Sequence, residues 1–489
     1  MESILIRALQ LIFSLTILVV FHELGHFFFS RIFKVRVEKF YMFFNPWFSI
    51  VRAKKINGKW RFHFFAKNLK SLNTNALDYQ GNPQKDSEGN YLYQTTPIED
   101  LPDTDWRKYP DKTEWGIGWL PLGGYCKIAG MIDESMDKVQ MAQAPKPWEY
   151  RAVSPWKRLP IITGGVVVNF IMALLIYSAI LFTWGEEYVP MKNYKAGFEF
   201  SPLSQKVGFQ NGDIILKADG SLVEQYNDLE IRKLLSAKQI VVLRGGQETT
   251  VTLPADFSNQ VVLNKDFFAF PRLPFVAREI IKNTPAQKAG LLKGDSLVSV
   301  NDSSYYSFFD FAAKINRNKQ NPVKIGYYRH GIAHSIMITP DSSGIIGVRP
   351  SLYNQVFKAK KINYGLAESI PAGISLGINK LGGYISDFKY LFTKKGVENL
   401  GGFASIGKMY DVEWNWPHLW EMTAFLSIIL AFMNILPIPG LDGGHLLFLL
   451  FELITGRKPN EKFLEKAQAI GMIFLLGLMI LANANDFLR

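Results

Sequence analysis

The fold is decided by residues 7–31, which read RALQLIFSLTILVVFHELGHFFFSR. Between Arg7 and Arg31, the only charged or ionisable side chains are those of His22, Glu23 and His26. A helix needs about 20 predominantly apolar residues to cross a hydrocarbon core. We therefore predict a transmembrane helix here. Ionisable groups inside such a helix are costly enough to indicate a functional site.

Three further uncharged runs lie at Leu159–Gly185, Met422–Leu441 and Ala467–Asn485. With the first segment they predict a membrane protein with four transmembrane helices, and they exclude a soluble enzyme. No small-residue cleavage site follows the first segment, so we interpret it as a retained span and not as a signal peptide. The single cysteine, Cys126, excludes a scaffold held together by intrachain disulfides.

Much of the positive charge lies beside the first span. The formal net charge is +12, and Arg31 to Lys70 contains eleven Lys and Arg residues against one acid, Glu38. Basic segments next to a span stay in the cytoplasm, so the charge favours a cytoplasmic face over a nucleic-acid groove. We then expect both termini, and the region from Tyr188 to about Pro417, on the outer side of the membrane.

This outer region contains an internal repeat. The two copies are Ser201–Leu216 and Thr284–Val298, which share a Ser/Thr-Pro pair, a glycine, a Gly-Asp pair and an apolar strand-like end. Each copy predicts a capped short helix, a glycine turn and a strand. We therefore expect two small β-rich domains of roughly 80 residues each.

Between the first two spans, Ser49–Ile56 and Lys59–Phe65 flank Asn57-Gly58, a dipeptide that favours a two-residue hairpin turn. Aromatic residues crowd this region, as at a membrane interface, so we predict a membrane-associated β-hairpin. The polar stretch from Thr74 to Thr113 predicts an exposed loop or small insertion, to which we assign no role.

The motif His22-Glu23-Leu24-Gly25-His26 is H-E-x-x-H, which on a helix places both imidazoles on one face with the glutamate beside them. This arrangement supplies two zinc ligands and a general base. The alternative is a polar cluster that joins helices by hydrogen bonds, or a proton relay.

A catalytic zinc needs a third protein ligand and an open position for water. The candidates for this third ligand are His445 and Asp442. Asp442 ends the run NILPIPGLD, which begins at Asn434. This run cannot form an unbroken helix, and broken backbone at membrane depth occurs only where it is buried in protein or lines a wet cavity. Two imidazoles and a carboxylate would leave the zinc a charge of +1 and able to bring the pKa of its water to about 7. Taken alone, Asp442 has an alternative role as the N-cap of a helix over Gly443–Ile454.

Together these features resemble the site-2 protease family of intramembrane zinc metalloproteases. The resemblance also includes Pro121–Lys127 (PLGGYCK), Gly165–Asn169 (GVVVN), Asn399–Gly402 (NLGG) with Ser405-Ile406, and Asn434–Gly444 (NILPIPGLDGG). It implies that His22, His26 and Asp442 bind zinc and that Glu23 is the base. It also implies that the repeats are PDZ-like domains. Substrate contacts are implied at Asn434, Asn169, Asn45 and Pro46. Of these, Asn45 and Pro46 stand where the family has the end of G-F-G-P.

The expected fold is therefore a polytopic α-helical membrane protein with four transmembrane helices, a membrane-associated β-hairpin and two exterior PDZ-like α+β domains. The predicted segments are the first transmembrane helix at 1–33, the hairpin region with its polar insertion at 34–155, the second transmembrane helix at 156–187, PDZ-like domains at 188–270 and 271–352, a linker with an amphipathic helix at 353–417, the third transmembrane helix at 418–442, a cytoplasmic helix and loop at 443–466, and the fourth transmembrane helix at 467–489.

The resemblance implies an intramembrane zinc endopeptidase of the bacterial inner membrane that makes the second cut in transmembrane substrates. Anti-sigma factors and remnant signal peptides are the implied substrates, and no nucleic-acid partner is expected. The competing function is a non-catalytic membrane scaffold or chaperone that acts through the PDZ-like domains. A transporter would need further polar residues along a pathway.

Two questions stay open from sequence. The repeats either bind peptides or act as a steric filter. The hairpin either adds its strand edge to unwound substrate or only packs on the helices.

Overall fold

The computed structural model describes residues 2–69, 73–76, 78, 80, 82–84, 93–95, 97–121, 123–131, 144–264, 266–351, 356–398 and 400–488. Two residues of the motifs quoted above, Leu122 in PLGGYCK and Asn399 in NLGG, lie outside the described residues.

The helices are α1 (Glu2–Ile32), α2 (Pro155–Trp184), α3 (Pro202–Lys206), α4 (Asp228–Ser236), α5 (Phe257–Leu263), α6 (Pro285–Ala289), α7 (Phe308–Asn316), α8 (Leu366–Phe388), α9 (Lys394–Glu398), α10 (Phe403–Lys408), α11 (Trp416–Ile435), α12 (Asp442–Thr455) and α13 (Glu461–Leu488).

The strands are β1 (Val37–Met42), β2 (Phe48–Ile56), β3 (Lys59–Lys67), β4 (Asn73–Asn75), β5 (Tyr93–Thr95), β6 (Glu114–Ile117), β7 (Tyr125–Ile128), β8 (Glu186–Tyr188), β9 (Phe198–Phe200), β10 (Ile214–Ala218), β11 (Ser221–Leu222), β12 (Gln239–Arg244), β13 (Gln247–Thr252), β14 (Ala269–Pro271), β15 (Phe275–Ile280), β16 (Ser296–Val300), β17 (Ser303–Ser304), β18 (Val323–Arg329), β19 (Ile332–Ile338), β20 (Val348–Pro350) and β21 (Lys360–Ile362).

The chain divides into two compact units. The first unit comprises Met1–Thr183, Gly365–Tyr384 and Glu398–Arg489, and the second comprises Trp184–Tyr364 and Ile385–Val397. Within the described residues, four helices are long and apolar enough to cross a membrane, which agrees with the predicted spans. They are Ile4–Ile32, Pro155–Trp184, Trp416–Ile435 and Phe463–Leu488.

In the first unit, small and hydroxylated side chains let the apolar helices approach closely. Ser14 of α1 and Thr423 of α11 are hydrogen-bonded at 2.8 Å, and α8 lays Gly373 and Gly377 against α2, where an added Cβ would clash. Polar side chains between membrane helices satisfy each other, and glycine allows backbones to touch. These contacts hold the helices around the site described below.

The first unit also contains a five-stranded sheet in the order β3-β2-β6-β1-β7. Strands β2 and β3 pair antiparallel, with Ile56 opposite Lys59. Asn57 (φ 50°) and Gly58 (φ 78°) both have left-handed backbone at the turn, which is the conformation a type I′ hairpin requires. In contrast, β1 pairs parallel with β6, which is far away in sequence. Strand β3 forms one edge of this sheet.

The polar insertion is not wholly exposed, and this part of the prediction is wrong. Trp106 is only 2% exposed. The guanidinium carbon of Arg52 lies 5.2 Å from the centroid of its ring, and the Trp106 carbonyl accepts a hydrogen bond from Lys54 at 3.0 Å. An indole beneath a cation is favourable when both are shielded from water. The later part of the insertion therefore covers one face of the β2-β3 hairpin.

The second unit contains both repeats, each with its own apolar core and antiparallel sheet. The same ion pair, between a partly exposed arginine and a buried aspartate, occurs in each copy: Arg244 contacts Asp213 at 2.7 Å, and Arg329 contacts Asp295 at 2.7 Å. Each arginine also donates to the carbonyl of the repeat's first glycine, at 2.8 and 3.0 Å. The repeated Gly-Asp signal thus corresponds to one folded arrangement used twice.

Candidate metal centre

The two histidines of H-E-x-x-H lie on one face of α1 and are buried. Their Nε2 atoms are 3.2 Å apart, and their rings are perpendicular, with centroids at 4.8 Å. The spacing of four residues in a helix places the rings one turn apart, as predicted. Both imidazoles therefore offer a nitrogen to the same point.

Asp442 completes this group from a distant part of the chain. Helix α11 ends at Ile435, the residues after it include Pro437 and Pro439, and α12 begins at Asp442 itself. Leu441 occupies the N-cap position, so the alternative in which Asp442 is the N-cap is wrong. Its Oδ2 instead lies 3.2 Å from Nε2 of both His22 and His26.

The three atoms form a triangle with sides of 3.2 Å. A tetrahedral zinc with ligand distances of about 2.0–2.1 Å has its ligand atoms about 3.3–3.4 Å apart. Among the described residues, the buried Oδ2 of Asp442 has no hydrogen-bond partner, and this group is the cluster of His, Cys, Asp and Glu whose ligand atoms converge. The residues therefore fit a zinc ion.

Neighbouring groups fix the orientation of each imidazole. Nδ1 of His26 lies 2.8 Å from the carbonyl of Ile161; a carbonyl only accepts, so Nδ1 carries the proton and Nε2 presents a lone pair. Nδ1 of His22 lies 3.3 Å from the Asn169 amide, and the other amide atom, Oδ1, is buried without a hydrogen-bond partner among the described residues. Amide orientation is assigned from such networks, and the reverse orientation lets Oδ1 accept from His22. Both histidines then have the tautomer that metal binding requires.

Close packing of α1 on α2 places the histidines against glycine. A Cβ added to Gly165 would lie 2.6 Å from both Cε1 of His22 and Nε2 of His26. A Cβ added to Gly25 would likewise clash with the backbone of Gly164. In the sequence, Gly165 stands out only as the first residue of GVVVN, and its position four residues before Asn169 is the signal that relates it to the site.

Glu23 lies next to His22 on α1 and is half-buried. Its carboxylate accepts a hydrogen bond from the backbone of Cys126 in β7. A sheet strand therefore holds the predicted base.

Gln468 of α13 holds the broken segment before Asp442, a role that sequence reasoning missed. Its Oε1 accepts from the Gly440 amide at 3.2 Å, and its Nε2 lies 3.3 Å from Nε2 of His445. His445, the other candidate for third ligand, therefore contacts α13 and is not part of the converging group. No motif pointed to Gln468, because its partners are 28 and 23 residues away.

The predicted substrate-binding residues have different surroundings. Asn434 is buried, with its amide nitrogen 3.5 Å from Nε2 of His22, whereas Asn169 is completely buried behind that histidine. Asn45 is bonded to Ser49 at 3.1 Å and accepts from Tyr125 at 3.0 Å. The Pro46 carbonyl accepts from the Trp119 indole at 2.8 Å. Substrate binding by these four residues stays a prediction.

The family comparison matches this architecture. The model of peptidase family M50 matches residues 10–66 and 104–478. A regulator of sigma E protease from Salmonella typhi is 28% identical over 100% of both chains, and one from Haemophilus influenzae is 27% identical over 77% of this chain and 87% of its own. A Neisseria meningitidis protein named as a zinc metalloprotease is 28% identical over 77% of this chain and 86% of its own.

Among solved structures, a PDZ domain of an SdrC-like protein from Listeria monocytogenes matches 16% of this chain and 86% of that domain. Its identity is 19% and its TM-score is 0.15, which is too low to carry an argument.

The chain belongs to peptidase family M50. It is a zinc metalloprotease that works within the membrane, and the resemblance to site-2 proteases is confirmed.

Proposed function

We propose that His22, His26 and Asp442 hold one Zn²⁺ and that the chain uses it to hydrolyse a peptide bond in a transmembrane substrate. The observation that carries this proposal is the 3.2 Å triangle of ligand atoms, one of which is a buried carboxylate oxygen without a hydrogen-bond partner among the described residues. When bound, zinc lowers the pKa of water to about 7 and polarises a carbonyl.

Glu23 is the general base and acid in this proposal. Its place beside His22 on the same helix lets it take a proton from water near the ligand triangle and return it to the leaving amine. The hydrogen bond from the Cys126 backbone holds one side of the carboxylate in place. The Asn434 amide, close to His22, is placed to donate to the carbonyl of an extended substrate.

A transmembrane helix hides its backbone in hydrogen bonds, so cleavage requires local unwinding. The edge strand β3 offers unpaired backbone groups for β-addition to an unwound segment. The same strand exposes Trp60, Phe62 and Phe64, and their positions alternate so that they share one face. Because aromatic side chains favour the membrane interface, this face supports the membrane-associated hairpin.

In this proposal the protein lies in a bacterial inner membrane with both termini and the repeats on the periplasmic side, as the basic segment after the first span favours. Its substrates are trimmed transmembrane proteins such as anti-sigma factors, or remnant signal peptides. The name "regulator of sigma E protease" of the Salmonella and Haemophilus relatives supports the first class.

We assign the repeats a steric role, with peptide binding as the second candidate. One observation favours binding in the second repeat: strand β20 is an edge strand, and Gly344 and Gly347, both with positive φ, lie within the four residues before it. A glycine loop before an open strand edge is suited to a peptide end. A non-catalytic scaffold is not favoured, because Glu23 and the three ligands are all present.

The test compares Glu23→Gln with Asp442→Ala in a cleavage assay on a model transmembrane peptide, with zinc content measured in parallel. The amide cannot accept a proton, so Glu23→Gln keeps zinc and loses cleavage by several orders of magnitude. Asp442→Ala loses both, because two imidazoles alone hold the metal weakly. Full activity in Glu23→Gln would refute the proposed mechanism.

A further inference from the structure

A cavity of about 150 Å³ lies in the first unit, and His22, His26 and Asp442 do not line it. The start of α2, the end of α12 and the start of α13 surround it, and Tyr150 and Arg151 contribute from the segment before α2. Apolar side chains cover part of its wall, including Phe448, Leu449 and Leu464. Neither the metal site nor the substrate-binding residues line it.

Among the described residues of the wall, positive side chains outnumber negative ones. Arg151, Arg158 and Lys458 line the cavity together with one carboxylate, that of Glu452. Arg158 and Glu452 form an ion pair at 2.5 Å, and each side chain is only 9% exposed. Arg151 is also paired with Glu149, at 2.7 Å. Lys458 donates to the Arg151 carbonyl at 3.5 Å and has no carboxylate partner among the described residues, so its positive charge is not paired there.

Arg158 also has unused donor capacity. Its Nε is buried and has no hydrogen-bond partner among the described residues. A buried donor without a partner is destabilising, and a guanidinium suits the bidentate geometry of phosphate oxygens. The cavity wall therefore combines cationic side chains with apolar ones.

Cationic side chains suit an anionic ligand such as a phosphate group. The position of the cavity favours a lipid as the source of this phosphate. The apolar span of α2 begins at Pro155, and the apolar span of α13 begins at Phe463. The basic residues thus lie within a few residues of the start of two apolar spans, and the ends of spans lie near lipid headgroups. Basic pockets between membrane helices recognise anionic headgroups. We propose that this cavity binds the phosphodiester of an anionic phospholipid, with Arg151, Arg158 and Lys458 on the phosphate and Phe448 and Leu464 beside the glycerol and acyl part.

The cavity is linked to the segment that carries Asp442. Gln468 lines the cavity and bonds to His445 and to the amide of Gly440, two residues before Asp442. An occupant that restrains Gln468 therefore also restrains the broken backbone after α11. This coupling rests on the proposed function, whereas lipid binding does not.

Native mass spectrometry of the full chain, released from nanodiscs of phosphatidylglycerol or phosphatidylcholine, tests the site. The parent should retain phosphatidylglycerol in preference to phosphatidylcholine, and the double variant Arg151→Gln/Lys458→Gln should bind it about tenfold more weakly. The control, Arg457→Gln, removes a neighbouring charge that does not line the cavity and should retain it like the parent.

Equal retention of the two lipids by the parent, or retention of phosphatidylglycerol by the double variant like the parent, would overturn the site. Displacement by millimolar soluble glycerol phosphate would assign the cavity to free phosphate esters and overturn the lipid. Faster cleavage in phosphatidylglycerol than in phosphatidylcholine supports the coupling, and equal rates overturn it while the site stands. Selective lipid retention by a chain that binds no zinc would support the site and contradict the proposed function separately.

Discussion

Substitution of Gly165 tests how closely the second apolar helix supports the histidines. An alanine methyl at this position would lie 2.6 Å from Nε2 of His26 and from Cε1 of His22, and ordinary contact begins at 3.4 Å. The shortfall is about 0.8 Å. The His26 side chain cannot easily move away, because its Nδ1 donates a hydrogen bond to the Ile161 carbonyl at 2.8 Å. Either the helices separate or an imidazole leaves its position.

The size of the effect follows from this displacement. Metal ligands tolerate deviations of about 0.2 Å, and a misplacement of about 1 Å at a reacting centre costs about 100-fold in rate. Overpacking costs about 1–3 kcal/mol, whereas the helix propensity of alanine over glycine returns only about 1 kcal/mol. We therefore expect Gly165→Ala to lower cleavage about 100-fold and to weaken zinc binding at least tenfold.

The assay measures zinc retained after dialysis against a chelator and the cleavage rate of a model transmembrane peptide. Gly477→Ala is the matched control, because Gly477 also lies in an apolar helix and an added Cβ there meets nothing within 4 Å. This control should stay within about twofold of the parent. If Gly165→Ala retains zinc and cleaves like Gly477→Ala, the packing of α2 on the histidines is refuted.

Three further changes probe other parts of the molecule. Tyr188 and Lys360 are opposite each other in an antiparallel pair, so deletion of the residues between them with a two-residue link should leave cleavage of trimmed substrate intact and newly permit cleavage of untrimmed substrate. Gln468→Leu removes the hydrogen bonds to Gly440 and His445. It should lower the cleavage rate about tenfold with little loss of bound zinc, when rate and zinc content are measured on the same preparation. Burial tends to raise the pKa of Asp295, but hydrogen bonds from Arg329 and the backbone lower it below its ordinary value. The ionised carboxylate therefore stabilises the folded repeat at pH values above the ordinary carboxyl pKa. This contribution to folding stability is lost as the pH falls through the lowered pKa. Arg329→Met should therefore reduce hydrogen-exchange protection of the second repeat at pH 7 by at least tenfold.

Each of these changes has a control or an outcome that would contradict it. A deletion variant that binds zinc but still cleaves only trimmed substrate contradicts the steric role of the repeats. Gln468→Glu keeps an acceptor for the Gly440 amide and should lie between the parent and Gln468→Leu. Arg349→Met removes an arginine from an exposed pair with Glu279 and should leave exchange unchanged, since exposed pairs contribute little. Equal loss of protection in Arg349→Met and Arg329→Met would contradict the importance of the pair between Arg329 and Asp295.

Local patterns predicted much of this molecule. The spans follow from apolar length, and the hairpin turn follows from Asn57-Gly58, because both signals depend on neighbouring residues. The convergence of His22, His26 and Asp442 was also predictable, since H-E-x-x-H sets two imidazoles on one helix face and the proline-rich run ahead of Asp442 marks a helix break.

Long-range contacts were not predictable from one sequence. Trp106 lies in a polar stretch, and only the pairing of β2 with β6 brings that stretch back over Arg52 and Lys54. The link from Gln468 to Gly440 joins α13 to a loop with no local pattern that favours it. Contacts of this kind depend on how helices and strands pack, and side-chain periodicity does not encode their partners.

X-ray absorption spectroscopy at the zinc edge of the purified chain tests the central claim most directly. We predict one zinc per chain, with two imidazole nitrogens at about 2.0–2.1 Å and oxygen ligands at similar distance. In Asp442→Ala, bound zinc should fall to a small fraction of the parent's. Sulfur scattering at about 2.3 Å, which would place Cys126 on the metal, or a parent with one imidazole or no zinc would contradict the assignment of His22, His26 and Asp442.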